Sequence, residues 1–393
     1  MLLIKNGKIL TMTGKNYDSG SILIKDKKIV KVDDEIYEKD YPISQVIDAT
    51  GCWVLPGLID AHCHIGITEE KKGFEGDDCN EMKDPITPYI RGLDAVNPMD
   101  SAFHNAISSG ITSVMVGPGS SNVIGGQFAF IKTHGRSIDK MAILEPAAMK
   151  IAFGENPKSN YNDLNEAPTT RMTIAALLRE ELFLARGYQQ EKLQSEKQHT
   201  PFKIDFRKEC WLPVLERKIP LKAHAHRADD ILTAIRIAKE FNLLLTLDHC
   251  TEGHLVIEEI KESGFPANIG PTLASRNKIE VQYMDFKTAG ILHKAGIKVA
   301  IISDHPVTRI QYLPICAGFA AKEGLGIPEG LKAITINAAE ICNVSHRVGS
   351  IQVGKDADIA IFNGNPMETF TTTLYTIIDG EIVYDSSKRH NPG

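Results

Sequence analysis

The feature that most restricts how this chain folds is a recurrence in its middle. Short, nearly unbroken apolar runs end on polar residues and are followed by helix-like stretches. The runs are GLIDAHCH (57–64), ITSVMVGPG (111–119), MAILEP (141–146), AAMKIAF (147–153), PLKAHAH (220–226), LLLTLDHC (243–250), PANIGP (266–271) and IKVAIISDH (297–305). A strand covered on both faces has no polar side to show, so such runs read as strands of a parallel sheet. Parallel neighbours need crossover connections, and ADDILTAIRIAKEF (228–241) and FKTAGILHKAG (286–296) have helical patterning. About eight strand-then-helix units predict a (β/α)8 TIM-type barrel over residues 55–344, with a doubly wound open sheet as the alternative.

The two ends differ from the middle. LLIKNGKIL and SILIKDKKIVKV near the start, and GSIQVGKDADIAIFNG and LYTIIDGEIVYD near the end, alternate apolar and polar residues between Asn, Gly and Asp. That is hairpin patterning. Residues 1–54 and 345–393 are therefore expected to meet in a small composite β-sandwich domain. Residues 154–218 break the rhythm: a polar stretch, an Arg- and Glu-bearing helix and a charged stretch read together as an insertion or extended loop, either lining a site or solvated. GPGSSNVIGG (117–126) reads as a tight loop; it lacks the Gly-Lys-Ser/Thr ending of a phosphate-binding loop.

Composition narrows the partners. Lys plus Arg is 44 against 50 for Asp plus Glu, a net charge of −6, so there is no electrostatic footprint for nucleic acid or an anionic membrane. No apolar run approaches the roughly 18 residues of a membrane span. The seven cysteines are odd in number, widely spaced and free of CxxC pairs, which argues against a disulfide framework. MLLIKNGKILTMTG lacks the features of a signal peptide, so the expectation is a cytoplasmic protein with reduced thiols. No Gly-x-Ser-x-Gly elbow supports a serine hydrolase.

The histidines carry the chemistry. Of the 13, His62, His64, His224, His226 and His249 stand at or just after the ends of apolar runs, and Asp304 ends another. In a parallel barrel all strand C-termini open on one face, so these side chains can converge across some 240 residues of chain. His62 and His64 are two residues apart on a strand and point to one side, with Cys63 away from it. Neutral imidazoles with a carboxylate suit a divalent ion such as zinc.

PGLIDAHCH (56–64) resembles the first-strand signature of the amidohydrolase superfamily, and GSIQVGKDADIAIFNGNP (349–366) resembles that family's return into its small β domain. ISDHP (302–306) is similar to its last barrel strand, and KAHAHR (222–227) and LDHCTEGH (247–254) resemble strands 5 and 6 of the branch related to imidazolonepropionase. The resemblance implies metal-dependent hydrolysis of a C–N bond in a small-molecule substrate, and leaves room for a homo-oligomer. It implies one or two divalent ions, zinc first, with Mn2+ or Fe2+ as alternatives. It makes His62 and His64 the strand 1 ligands and His224 the strand 5 ligand. His249 is then a ligand or the group that polarises the scissile carbonyl, and Asp304 a ligand that also takes the proton from the attacking water. Lys150 matches the strand 4 lysine that is carboxylated and bridges two metals in binuclear members, against the simpler reading of a snorkelling lysine. Glu145 is the rival carboxylate of a deacetylase-like arrangement.

His226 is expected beside the substrate or the metal shell. Deaminases of the superfamily commonly carry Glu three residues after the strand 5 histidine; here that residue is Arg227, which cannot act as general acid or base. Arg227 is expected either to bind an anionic substrate group or to pair with Asp229 or Asp230. A dipeptidase of Xaa-Pro or Xaa-Arg type, an N-acetyl-sugar deacetylase and a non-catalytic scaffold are the competing readings.

Overall fold

The computed structural model describes residues 1–70 and 73–388. In chain order the first strands are β1 (Leu2–Ile9), β2 (Tyr17–Lys25), β3 (Lys28–Asp33), β4 (Gln45–Asp48) and β5 (Trp53–Pro56). Eight more follow: β6 (Leu58–Cys63), β7 (Ile111–Val116), β8 (Ile124–Lys132), β9 (Ala142–Ala152), β10 (Leu221–Ala225), β11 (Leu245–His249), β12 (Ala267–Ile269) and β13 (Val299–Ile301). The last three are β14 (Ile359–Phe362), β15 (Thr373–Ile378) and β16 (Glu381–Asp385).

Strands β6 to β13 form one sheet in sequence order. Its ends nearly close into a barrel, because Asp304 N–H donates to His62 O (3.2 Å) and His64 N–H donates to His305 O (2.8 Å) just past β13 and β6. The strand-then-helix rhythm holds from β9 onward. The helix Ala228–Phe241, between β10 and β11, shows why: Ile231, Ala234, Ile235 and Ala238 fall on one face and are buried, Asp229 and Asp230 occupy its first turn, and Asn242 ends it in the left-handed region (φ 55°).

Between β7 and β9 the expected pattern gives way. MAILEP and AAMKIAF are one strand, β9, and the eighth strand is β8, which begins inside the Gly-rich stretch expected as a loop. β8 runs antiparallel to both neighbours, so this part of the barrel is a meander. Residues 154–218 are an insertion that holds the expected Arg- and Glu-bearing helix and a shorter helix where a polar stretch was expected. They hold the helices Glu155–Asp163 and Arg171–Gln198, and the second buries Ile174, Leu178, Leu182 and Ala185 at helical spacing.

The other strands form a mixed eight-stranded sheet of order β16-β15-β14-β5-β1-β2-β3, with β4 also pairing β1. Strands from both ends of the chain meet where β14 pairs antiparallel with β5, and Ile4, Ile22, Val54, Ile359 and Ile377 share its core. Lys132 at the end of β8 reaches this region, with its buried ammonium 3.1 Å from Asp356 Oδ2 and 3.2 Å from Asp379 Oδ1. No helix among the described residues is long and apolar enough to cross a membrane.

Candidate metal centre

Parallel strands deliver their last residues to one rim, and here that rim surrounds a cavity of about 360 Å3 lined by His62, His64, Lys150, His224, His226, His249 and Asp304. Two groups of ligand-type atoms, each mutually within 4.8 Å, stand in it: His62, His64 and Asp304, and His224, His226 and His249. The groups adjoin, since the His62 and His249 ring centroids are 5.3 Å apart. His249 (φ 70°) and Asp304 (φ 54°) lie in the left-handed region, a conformation that costs energy for residues with a Cβ and is tolerated where the surroundings enforce it.

The ring orientations are fixed from behind. His64 Nδ1 donates to Gly117 O (2.7 Å) and His249 Nδ1 donates to Gly270 O (2.8 Å). A carbonyl can only accept, so in both rings Nδ1 carries a hydrogen and Nε2 is the atom turned to the cavity. His226 Nδ1 is 2.7 Å from Thr251 Oγ1. His62 Nδ1 lies 3.0 Å from Asp248 Oδ2, and its Nε2 lies 3.3 Å from Asp304 Oδ1. His64 Nε2 is also 3.3 Å from Asp304 Oδ1.

Electrostatics separate the two groups. Burial, with neighbouring cations and imidazoles, pushes His62, His224, His226 and His249 below the ordinary histidine range and keeps them neutral. Burial opposes charge on His64 too, but the adjacent Cys79 and Asp304 side chains outweigh it and raise His64 to about 10, so its Nε2 holds a proton that a bound divalent ion would displace. Burial would raise Asp304, yet the histidines around it, His249 first, hold it well below the usual carboxylate range. The site therefore favours positive charge between His64 and Asp304. Lys150 is 1% exposed and its Nζ lies 3.4 Å from His62 Nε2. Burial lowers it to about 8 against the pull of Asp248 and Asp304.

Two expected site residues stand elsewhere. Arg227 does not line this cavity; its Nε and terminal nitrogen hold Asp229 at 3.0 Å each, a fork-to-fork pair. Glu145 is exposed and pairs with Arg91, so the carboxylate of a deacetylase-like arrangement is not in the cavity.

Sequence reasoning missed the support behind the ligands. Asp248 is fully buried and accepts from Lys222 Nζ (3.0 Å) and Asn268 Nδ2 (2.7 Å) while facing His62. Charged residues inside the apolar runs PLKAHAH and LLLTLDHC were the available signal. Asp60 accepts from His62 N–H (3.1 Å) and Ser303 N–H (3.2 Å), tying the first strand to the last. Glu280, from the loop after β12, also lines the cavity.

The donor set fits a divalent ion: imidazoles whose Nε2 atoms face the cavity, an ionised carboxylate, and backbone carbonyls that orient His64 and His249 from behind. Comparison with known proteins places this set in a family. The Amidohydrolase family model matches residues 214–383. A solved amidohydrolase from Thermotoga maritima MSB8 is 37% identical with a TM-score of 0.94, and the match covers 98% of this chain and 100% of that one. The chain belongs to the amidohydrolase family. Amidohydrolase tasK of Hapsidospora irregularis is 26% identical over 93% of this chain, which spans 40% of that relative's length. An imidazolonepropionase of Fusobacterium nucleatum is 24% identical over 90% of this chain and 87% of its own.

Proposed function

We propose that this chain is a metal-dependent hydrolase that cleaves a C–N bond, an amide or a cyclic amide or amidine, in a small molecule, acting in the cytoplasm. The observation that carries the reading is the anchoring of His64 and His249 through Nδ1, which turns two Nε2 atoms onto a cavity that also holds an ionised Asp304. His62, His64 and Asp304 would hold one ion, and His224 and His249 a second, with Lys150 as a carboxylated bridge. Zinc is the first choice, with Mn2+ or Fe2+ as alternatives. Such an ion supplies Lewis acidity, polarising a carbonyl and bringing the ionisation of water near neutrality.

The chain's own groups do the rest. The Asp304 carboxylate accepts the proton of the attacking water and returns it to the leaving nitrogen, acting first as base and then as acid. His249 keeps a lone pair on Nε2 because its Nδ1 donates to Gly270 O, so it serves as a ligand of the second ion and not as a donor to the developing oxyanion. His226 touches the substrate beside the second ion. Residues 55–344 form the hydrolase barrel in this reading, with 1–54 and 345–393 as its β-rich companion.

The test is metal content per chain, by elemental mass spectrometry, on protein purified without chelator. One or two bound equivalents are expected. No retained metal after resupply of zinc or manganese would overturn the reading and favour a scaffold. Lys150→Ala should lose one of two equivalents; an unchanged count would remove Lys150 from the bridge.

A further inference from the structure

Glu280 is a buried acidic side chain of the cavity that the reading above leaves unused. It is 1% exposed and sits on the turn Ile279–Val281. Its Oε2 accepts from the Glu155 N–H at 2.9 Å, while Oε1 is buried and has no hydrogen-bond partner. That oxygen faces His224 Nε2 at 3.8 Å and His226 Nε2 at 3.9 Å. Lys278 Nζ is also 3.8 Å away, too far to donate, and it donates instead to Asn156 Oδ1. A carboxylate oxygen with no donor is costly to bury, so its position asks for a cation or an N–H from outside the chain.

The neighbours decide between those two. His249 Nε2 presents a lone pair, because Nδ1 donates to Gly270 O. His224 Nε2 faces the amide nitrogen of Asn156 at 3.4 Å, a group that only donates, so it too is an acceptor. His224, His226 and His249 offer nitrogens within 4.8 Å of one another, and Glu280 Oε1 closes the group from the far wall. Electron pairs turned on one point repel unless positive charge stands between them. Zinc–nitrogen bonds of about 2.0–2.1 Å put tetrahedral donors roughly 3.3 Å apart, so Glu280 Oε1 needs to close on His224 and His226 by only about half an ångström. The backbone makes room for the carboxylate: a Cβ on Gly154 (φ +84°) would sit 2.9 Å from Glu280 Oε2 and from Asp230 Oδ2.

We propose that Glu280 supplies the carboxylate of a divalent-cation position formed with His224, His226 and His249, adjoining the position of His62, His64 and Asp304. The proposal rests on the metal-hydrolase reading but does not need Lys150 to be modified. Three nitrogens and one oxygen suit zinc, cobalt(II) or iron(II).

The test is a cobalt(II) titration of the metal-free full chain, read by visible absorption and by elemental analysis after dialysis. Wild type should take up two equivalents. Glu280→Gln should bind the second roughly tenfold to a hundredfold more weakly and the first unchanged. Gly154→Ala, which displaces the carboxylate without removing a ligand, should have the same effect. If Glu280→Gln does not fold, Glu280→Asp keeps the charge on a shorter arm and should still weaken the second equivalent. Wild-type affinity for both equivalents in these variants would overturn the proposal, and a raised KM with unchanged metal binding would move Glu280 to substrate binding. A wild type that binds no cobalt would overturn the metal-hydrolase reading itself.

Discussion

Asp248→Asn tests whether a buried ion pair holds His62, the first of the proposed metal ligands, in place. The Asp248 carboxylate is fully buried, 3.0 Å from Lys222 Nζ and 3.0 Å from His62 Nδ1. Lys222 is 2% exposed, and its other acceptor is Ala61 O at 2.9 Å. Removing the negative charge leaves an ammonium in the barrel with neutral acceptors alone, which costs about 3–5 kcal/mol. It also takes from His62 the negative charge 3.0 Å from its Nδ1, and the loss of such a partner behind a ligand weakens metal binding roughly tenfold to a hundredfold. The two effects separate in a double-mutant cycle. Adding Lys222→Met removes the stranded charge, so stability should recover by at least about 2 kcal/mol, while metal affinity stays weak because His62 is still unsupported. Stability is read by urea unfolding of the metal-free protein, and affinity by chelator competition. A loss below about 1 kcal/mol in Asp248→Asn, well under the cost of stranding a buried charge, would refute the argument, as would no recovery in the double variant.

Three further outcomes follow from the geometry. Asp304→Asn should keep the circular dichroism spectrum and lower kcat by roughly 100- to 10,000-fold, the usual worth of a positioned acid–base group; substantial residual turnover would remove Asp304 from that role. Arg227→Ala should leave metal content and kcat/KM within about twofold of wild type, because its partner is Asp229 on an exposed helix turn and exposed pairs contribute little; a large rise in KM would instead restore it to the substrate site. Burial opposes ionisation of Asp356, but Lys132 and Lys28 bring its carboxyl down to about 2. A depressed carboxyl stabilises the fold above its unfolded value near 3.8, and that contribution, about 2 kcal/mol, is lost as pH falls from about 4 to about 2. Asp356→Asn should flatten acid unfolding in that window, and an unchanged acid curve would place the sensitivity elsewhere.

The histidines were legible because their positions obey a simple rule: an apolar run buried on both faces ends where the sheet does, and the first polar side chain there faces the rim. What escaped the sequence escaped for identifiable reasons. Pro146 reads as a break between two strands, since proline cannot donate to a ladder. In β9 it falls where the register slips between Phe128↔Ala148 and Phe130↔Leu144, so its missing N–H interrupts no regular pairing. β8 has Gly125 and Gly126 directly after its first residue, Ile124, and such glycines usually mark a loop. A Cβ on Gly126 (φ +120°) would lie 2.4 Å from Ile90 O, so here glycine permits a close backbone approach inside a strand. The helix Arg171–Gln198 outlasts its apolar face: after Tyr188, Ser195 is its only buried residue, and hydrophobic periodicity could not mark its end.

Glu280 had no signal of this kind. IEV in a polar loop has no spacing to any histidine, and the loop is brought to the cavity by the closing of the barrel. The same rule that made the strand-end histidines visible hides whatever a loop contributes from the opposite wall, because loop residues reach a site through tertiary placement and not through a strand's period. The absence of a carboxylate three residues after His224, where Arg227 stands, therefore did not mean the cavity lacked one beside that histidine. The carboxylate arrives 56 positions later in the chain, with its free oxygen 3.8 Å from His224 Nε2.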